Sequence, residues 1–191
     1  GNIVKKIVAW QVINASVATV IRSFREAVKT MKEVDTELTA IQKVTNNTDA
    51  EMEKLSQHAY EVASQYGVAV TDYLESTGTF AKAGYKELSE DMAELATKTQ
   101  LVGDVNAETA NQFLLAADAA FKMKGNVTEL STILDKANVI ENKYATSIEK
   151  ISEGFPIVAN VASMANMSID QQMAMLGTIT AVTQESDTKA A

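Results

Sequence analysis

Ile3, Ile7, Trp10, Val17, Ile21, Phe24, Val28 and Met31 follow one another in steps of three and four residues, with Asn14 filling the one polar slot. That spacing places all eight on one stripe of an α-helix, and such a stripe is built to lie against another helix, its own chain's or a partner's. It resumes at Val34, Leu38 and Ile41 after a step of three where four was due. At about 1.5 Å per residue, a helix from Ile3 to Val44 would be roughly 60 Å long, more than a compact domain of this length needs. The eight residues are therefore the candidate helix-packing or self-association seam of an N-terminal helix.

The remainder of the chain supports an all-α fold. One proline and eight glycines in 191 residues leave few interruptions, and no Asn-Gly or Asp-Gly hairpin signal or sustained alternation points to strands. The length suits one domain with an extended arm, expected as a long amphipathic helix over 1–45 and a helical core domain over 46–191 of six or seven shorter helices. Gly1 in place of methionine is what an excised segment with a tag remnant would show.

Capping signals set the expected helix starts. Thr48 with Glu51, Asn126 with Glu129, Thr146 with Glu149 and Ser168 with Gln171 have capping-box spacing, and Ser89 and Asn106 can cap two more. The inward faces expected are Met52, Leu55, Ala59, Val62 and Tyr66; Met92, Leu95 and Ala96; and Ala110, Phe113, Leu114, Ala117 and Phe121. Gly67, Gly84, Gly103 and Gly125 are expected at helix ends. Gly154-Phe155-Pro156 is expected to kink or restart the helix that begins near Ser147.

The chain also aligns with itself. Val62–Gly84 lies over Val161–Thr183 at an offset of 99, with Val-Ala-Ser opening both segments and Gly78-Thr79 matching Gly177-Thr178. The implied unit is a helix, a short turn and a second helix, used twice.

Charge and chemistry exclude much. Residues 1–32 carry Lys5, Lys6, Arg22, Arg25, Lys29 and Lys32 against Glu26 alone, a balance of +5, and the overall charge of −8 leaves −13 for the rest. An acidic body repels a phosphate backbone, so no direct nucleic-acid specificity is expected. The apolar stretch Ile7–Ile21 is broken by Gln11, Asn14, Ser16 and Thr19 and is shorter than the ~20 residues of a bilayer span. With no cysteine and a single histidine, His58, neither a thiolate site nor a converging zinc or di-iron set can be assembled, and no cofactor or metal is expected. There is no GxSxG elbow and no Gly-rich phosphate loop, so no catalytic residue is assigned and an enzyme is not expected. Acidic pairs such as Glu90-Asp91 and Glu185 with Asp187 suit solvated faces and helix starts. Met164, Met167, Met173 and Met175 could fill core space or form an adaptable surface for partner helices.

Glu33-Val-Asp-Thr-Glu-Leu-Thr-Ala-Ile-Gln-Lys-Val-Thr45 is followed by Ser56-Gln-His-Ala-Tyr-Glu-Val-Ala63, Gly67-Val-Ala-Val-Thr-Asp-Tyr-Leu74 and the closing pair Ala83-Gly84. In that order, from about residue 20 onward, the chain resembles the core region of phage tail tape-measure proteins. The resemblance implies a non-enzymatic structural role in the virion tail, assembled in the bacterial host cytoplasm. The implied partners are tail tube and tail assembly proteins, and the implied task is tail assembly and tail-length determination. An all-α bacterial interaction or signalling module is the alternative that the stripe and acidic body would also suit.

Overall fold

The computed structural model describes residues 2–143 and 146–183, with side chains described for 21–143, 146–159 and 161–179. Every regular element among them is helical: α1 (Asn2–Thr45), α2 (Asp49–Tyr66), α3 (Val70–Lys82), a 3-10 turn (Lys86–Leu88), α4 (Ser89–Gly103), α5 (Ala107–Phe121), α6 (Val127–Lys143), α7 (Ile148–Met164) and α8 (Ile169–Thr183). The all-α expectation, with a long first helix and seven shorter ones, matches this order.

Local capping chemistry sets most starts. Before α2 the Thr48 hydroxyl accepts from the Glu51 N–H, and the Glu51 carboxylate accepts from the Thr48 N–H at 2.7 Å, a complete capping box. The Thr48 backbone N–H, and after it the Thr48 hydroxyl, which donates to the same carboxylate at 2.8 Å, hold the Glu51 carboxyl below its ordinary range. Asn106 accepts from Thr109 N–H at 2.8 Å ahead of α5, and Ser168 and Gln171 exchange bonds ahead of α8. Two expected caps differ. Ser147, not Thr146, takes the cap of α7 by accepting from Lys150 N–H. Ser89 lies inside the first turn of α4 and donates back to the Lys86 carbonyl, because the 3-10 turn feeds directly into the helix.

The three inward faces lie as the spacing predicts. Met52, Leu55, Ala59 and Val62 of α2, Met92, Leu95 and Ala96 of α4, and Ala110, Phe113, Leu114 and Ala117 of α5 are buried, with Tyr66 and Phe121 packed at the edge. α3 packs against α1, α2, α4 and α5, while α5 lies along α7 and α6, α7 and α8 pack on one another. One continuous apolar cluster results.

Helix α7 runs through Pro156 without restarting. Proline removes the N–H that would bond to the Ser152 carbonyl, but Ile148, Ile151, Phe155, Ala159 and Ala162 form one buried stripe across it. Phe155 meets Phe113 of α5 edge to face, ring centres 5.3 Å apart at 65°. Tertiary packing therefore outweighs the local break.

Two glycines do different work from that expected. Gly103 ends α4 in helical conformation while Asp104 takes the left-handed cap at φ +50°. A Cβ on Gly103 would stand 2.7 Å from Ile148 Cγ2, so the glycine lets α7 approach. Lys122 caps α5 at φ +55°, and Gly125, at φ +74°, lies in the next turn, where a Cβ would come within 2.8 Å of Leu88 Cδ1. Gly67 behaves as predicted, closing α2 at φ +71°.

Candidate interaction surfaces

One face of α1 has two fates. Val34 and Ile41 are buried and Leu38 packs beside them, with Ile41 lying where a Cβ on Gly78 of α3 would touch it at 3.4 Å. Upstream, Ile21, Phe24 and Met31 are 46%, 70% and 65% exposed, and Val28 is half-buried. The short step from Met31 to Val34 turns the stripe part-way around the helix at the point where burial begins. The side chains of Ile3, Ile7, Trp10 and Val17 lie outside the described residues. The described half of the predicted seam thus faces away from the core, and its neighbours Arg22, Arg25 and Lys32 are exposed as well. Lys29 reaches Glu33 at 3.5 Å, a surface pair worth little to stability.

A second apolar surface lies between α7 and α8. Ile157, Val161, Ala165, Met167 and Met175 line a groove of about 280 Å³, and Met164, also on α7, is exposed. The four methionines singled out by sequence therefore separate: Met173 is core, Met167 and Met175 line the groove, and Met164 faces solvent.

Titratable side chains serve the fold. His58 lies edge-on to Tyr73 with ring centres 5.9 Å apart, and its Nδ1 is 4.0 Å from Glu61. Glu90 and Asp91 occupy the first turn of α4, where the helix dipole favours them. Glu185 and Asp187 lie outside the described residues. Among the described residues no three His, Cys, Asp or Glu side chains gather to hold a metal ion, and no helix is long and apolar enough to cross a membrane.

Two polar links tie together elements that sequence reasoning did not pair. Tyr66 of α2 donates to Glu94 of α4 at 3.0 Å, and Lys98 donates to the same carboxylate at 2.9 Å while lying 5.9 Å from the Tyr66 ring centre. The Lys98 hydrogen bond is the main reason that the Glu94 carboxyl is held low and the Lys98 ammonium high. Deeper, buried Asp118 accepts from the Tyr85 hydroxyl and from the Gly125 N–H at 2.5 Å, pinning both loops beside α5. Burial, then Asp118, pushes the Tyr85 phenol up to about 12. The available signal was Asp118 itself, the one charge between Glu108 and Lys122 in an apolar, alanine-rich helix.

The geometry offers helix faces to other helices. The family model described as phage-related minor tail protein matches residues 51–191. No solved structure matches the chain.

Proposed function

We propose that this chain, which belongs to the phage-related minor tail protein family, is a structural, non-enzymatic segment of a tail tape-measure protein. In this reading it resides in the virion tail, is assembled there from the host cytoplasm, contacts tail tube and tail assembly proteins, and contributes to tail-length determination. The family match over residues 51–191 carries the proposal. The fold suits it physically, since helices stacked by apolar stripes supply stiffness and defined length, and a helix rises by a fixed ~1.5 Å per residue.

The arm expected over 1–45 joins the body at Val34, so the stretch of α1 upstream of Val34 and the rest of the chain divide the work. The eight-residue seam from Ile3 to Met31 is the self-association element, and Asn14 falls at a seam position where a polar side chain sets register. Its exposed members Phe24 and Met31 support this role. In-frame deletion of residues 33–183, with tail length read by electron microscopy, tests the measuring function. A fully helical rod of that segment would span roughly 230 Å, so shortening up to that amount is expected. Tails of unchanged length would remove this segment from the measuring span.

A further inference from the structure

The offset of 99 residues relates more of the fold than the segment 62–84. It carries Asp49, which begins α2, to Ile148, which begins α7, and Val70 of α3 to Ile169 of α8. It carries the capping Thr48 to the capping Ser147. The turns share one closing bond: Val68 N–H bonds to the Ala63 carbonyl at 3.2 Å, and Met167 N–H to the Ala162 carbonyl at 2.9 Å, while Gly67 N–H bonds to the Ala63 carbonyl and Asn166 N–H to that of Ser163. Gly67 and Asn166 take the same left-handed conformation, φ +71° and +60°. Val127, the start of α6, maps onto Val28 within α1. Buried positions pair as Val34 with Ile133, Met52 with Ile151, Leu74 with Met173 and Gly78 with Gly177. The related units are three helices each, 28–84 and 127–183.

They differ in what lies on top. In the first unit, His58, Val62 and Tyr66 stand at four-residue intervals on one face of α2. That face meets α4, with Tyr66 donating to Glu94, and Tyr73 of α3 donating to the Glu90 carbonyl at 3.4 Å. Val62 is only 3% exposed there. Its counterpart Val161 is 69% exposed, and the counterparts of His58 and Tyr66, Ile157 and Ala165, line the open α7–α8 groove.

We propose that the α7–α8 groove is a docking site for an amphipathic helix, seated as α4 is seated on α2 and α3. The occupant's chemistry follows from the substitutions between units. Ile157 and Met175 replace His58 and Ser76, so the groove takes an apolar stripe like that of Met92, Leu95 and Ala96 in α4. Ala165 in place of Tyr66 removes the phenol that Glu94 serves, so no matching carboxylate is required. Glu149 and Glu153 extend the Ile157–Val161 line where α2 carries Ala50 and Lys54, which favours a basic side chain at that end of the incoming helix.

The test is to graft a copy of residues 85–104 directly after Thr183, in place of 184–191, and to follow thermal unfolding. The graft is expected to raise Tm by about 5 °C. Val161→Asp, made on an exposed position, is expected to leave the ungrafted chain's Tm unchanged and to cancel the rise in the grafted one. No rise, or a rise that survives Val161→Asp, overturns the proposal. So does a Val161→Asp variant that breaks up a self-associated form of the ungrafted chain, since a second copy would then own the groove.

Discussion

Replacing Phe155 with alanine removes the largest side chain of the α7 stripe from a position with no solvent exposure, beside Phe113 at 5.3 Å. Truncations of this kind cost about 3–5 kcal/mol, because lost transfer energy adds to an unfilled cavity. In a domain of this size each kcal/mol moves Tm by about 2–4 °C, so a fall of roughly 6–20 °C is expected. Pro156→Ala, one residue on, should act in the opposite direction. It returns a donor to the Ser152 carbonyl inside a continuous helix, and up to about 3 kcal/mol of helix penalty is recoverable. Urea melts followed by circular dichroism measure both. A double-mutant cycle of Phe155→Ala with Phe113→Ala should give a coupling of about 0.5–1.5 kcal/mol for the edge-to-face pair. A loss below about 1 kcal/mol for Phe155→Ala would refute the packing argument. If Pro156→Ala destabilises, α7 is two helices with proline in the tolerated first position of the second, and the through-running helix is wrong.

Other substitutions probe separate contacts. Gly103→Ala gains about 1 kcal/mol of helix propensity but drives a methyl to 2.7 Å from buried Ile148, and overpacking of about 1–3 kcal/mol should win, lowering the urea midpoint. Tyr85→Phe strips one donor from buried Asp118 and should cost about 1.5–3 kcal/mol in the same assay. Alkali gives a signed prediction: Tyr85, at about 12, and Tyr73, pushed up chiefly by burial, hold their protons longer when folded than when unfolded. Their contribution is intact below the unfolded value of about 10 and is lost as pH rises toward and past the folded values, so the urea midpoint should fall above pH 10, less steeply in Tyr85→Phe. At dilutions where the chain is monomeric, Phe24→Asp should change stability by no more than about 0.5 kcal/mol, while Ile41→Ala, on the same helix, should cost about 2–5 kcal/mol.

What could be read in advance was local. A hydroxyl three residues ahead of a carboxylate or amide, or a lone asparagine ahead of a helical run, announces a helix start whatever surrounds it, which is why Thr48, Ser168 and Asn106 sit where the sequence put them. The three- and four-residue recurrence of Met52, Leu55, Ala59 and Val62 likewise needs no partner to be recognised. What failed depended on distant atoms. Pro156 is tolerated because Phe113 waits on α5, and Gly103 is needed because Ile148 approaches from another helix. Asp118 is sequestered because Tyr85 and Gly125 arrive from both sides. The stripe on α1 was visible along its length, but only the fold shows that it passes from solvent to core at Val34.

The most direct test concerns that passage: the solution mass and thermal melt of the chain with and without residues 1–32. The account predicts a multimer for the full chain and a monomer for the truncated one, with cooperative helical unfolding retained in both. Equal masses would deny the seam its associating role, and a truncated chain that no longer unfolds cooperatively would place the arm within the folding core.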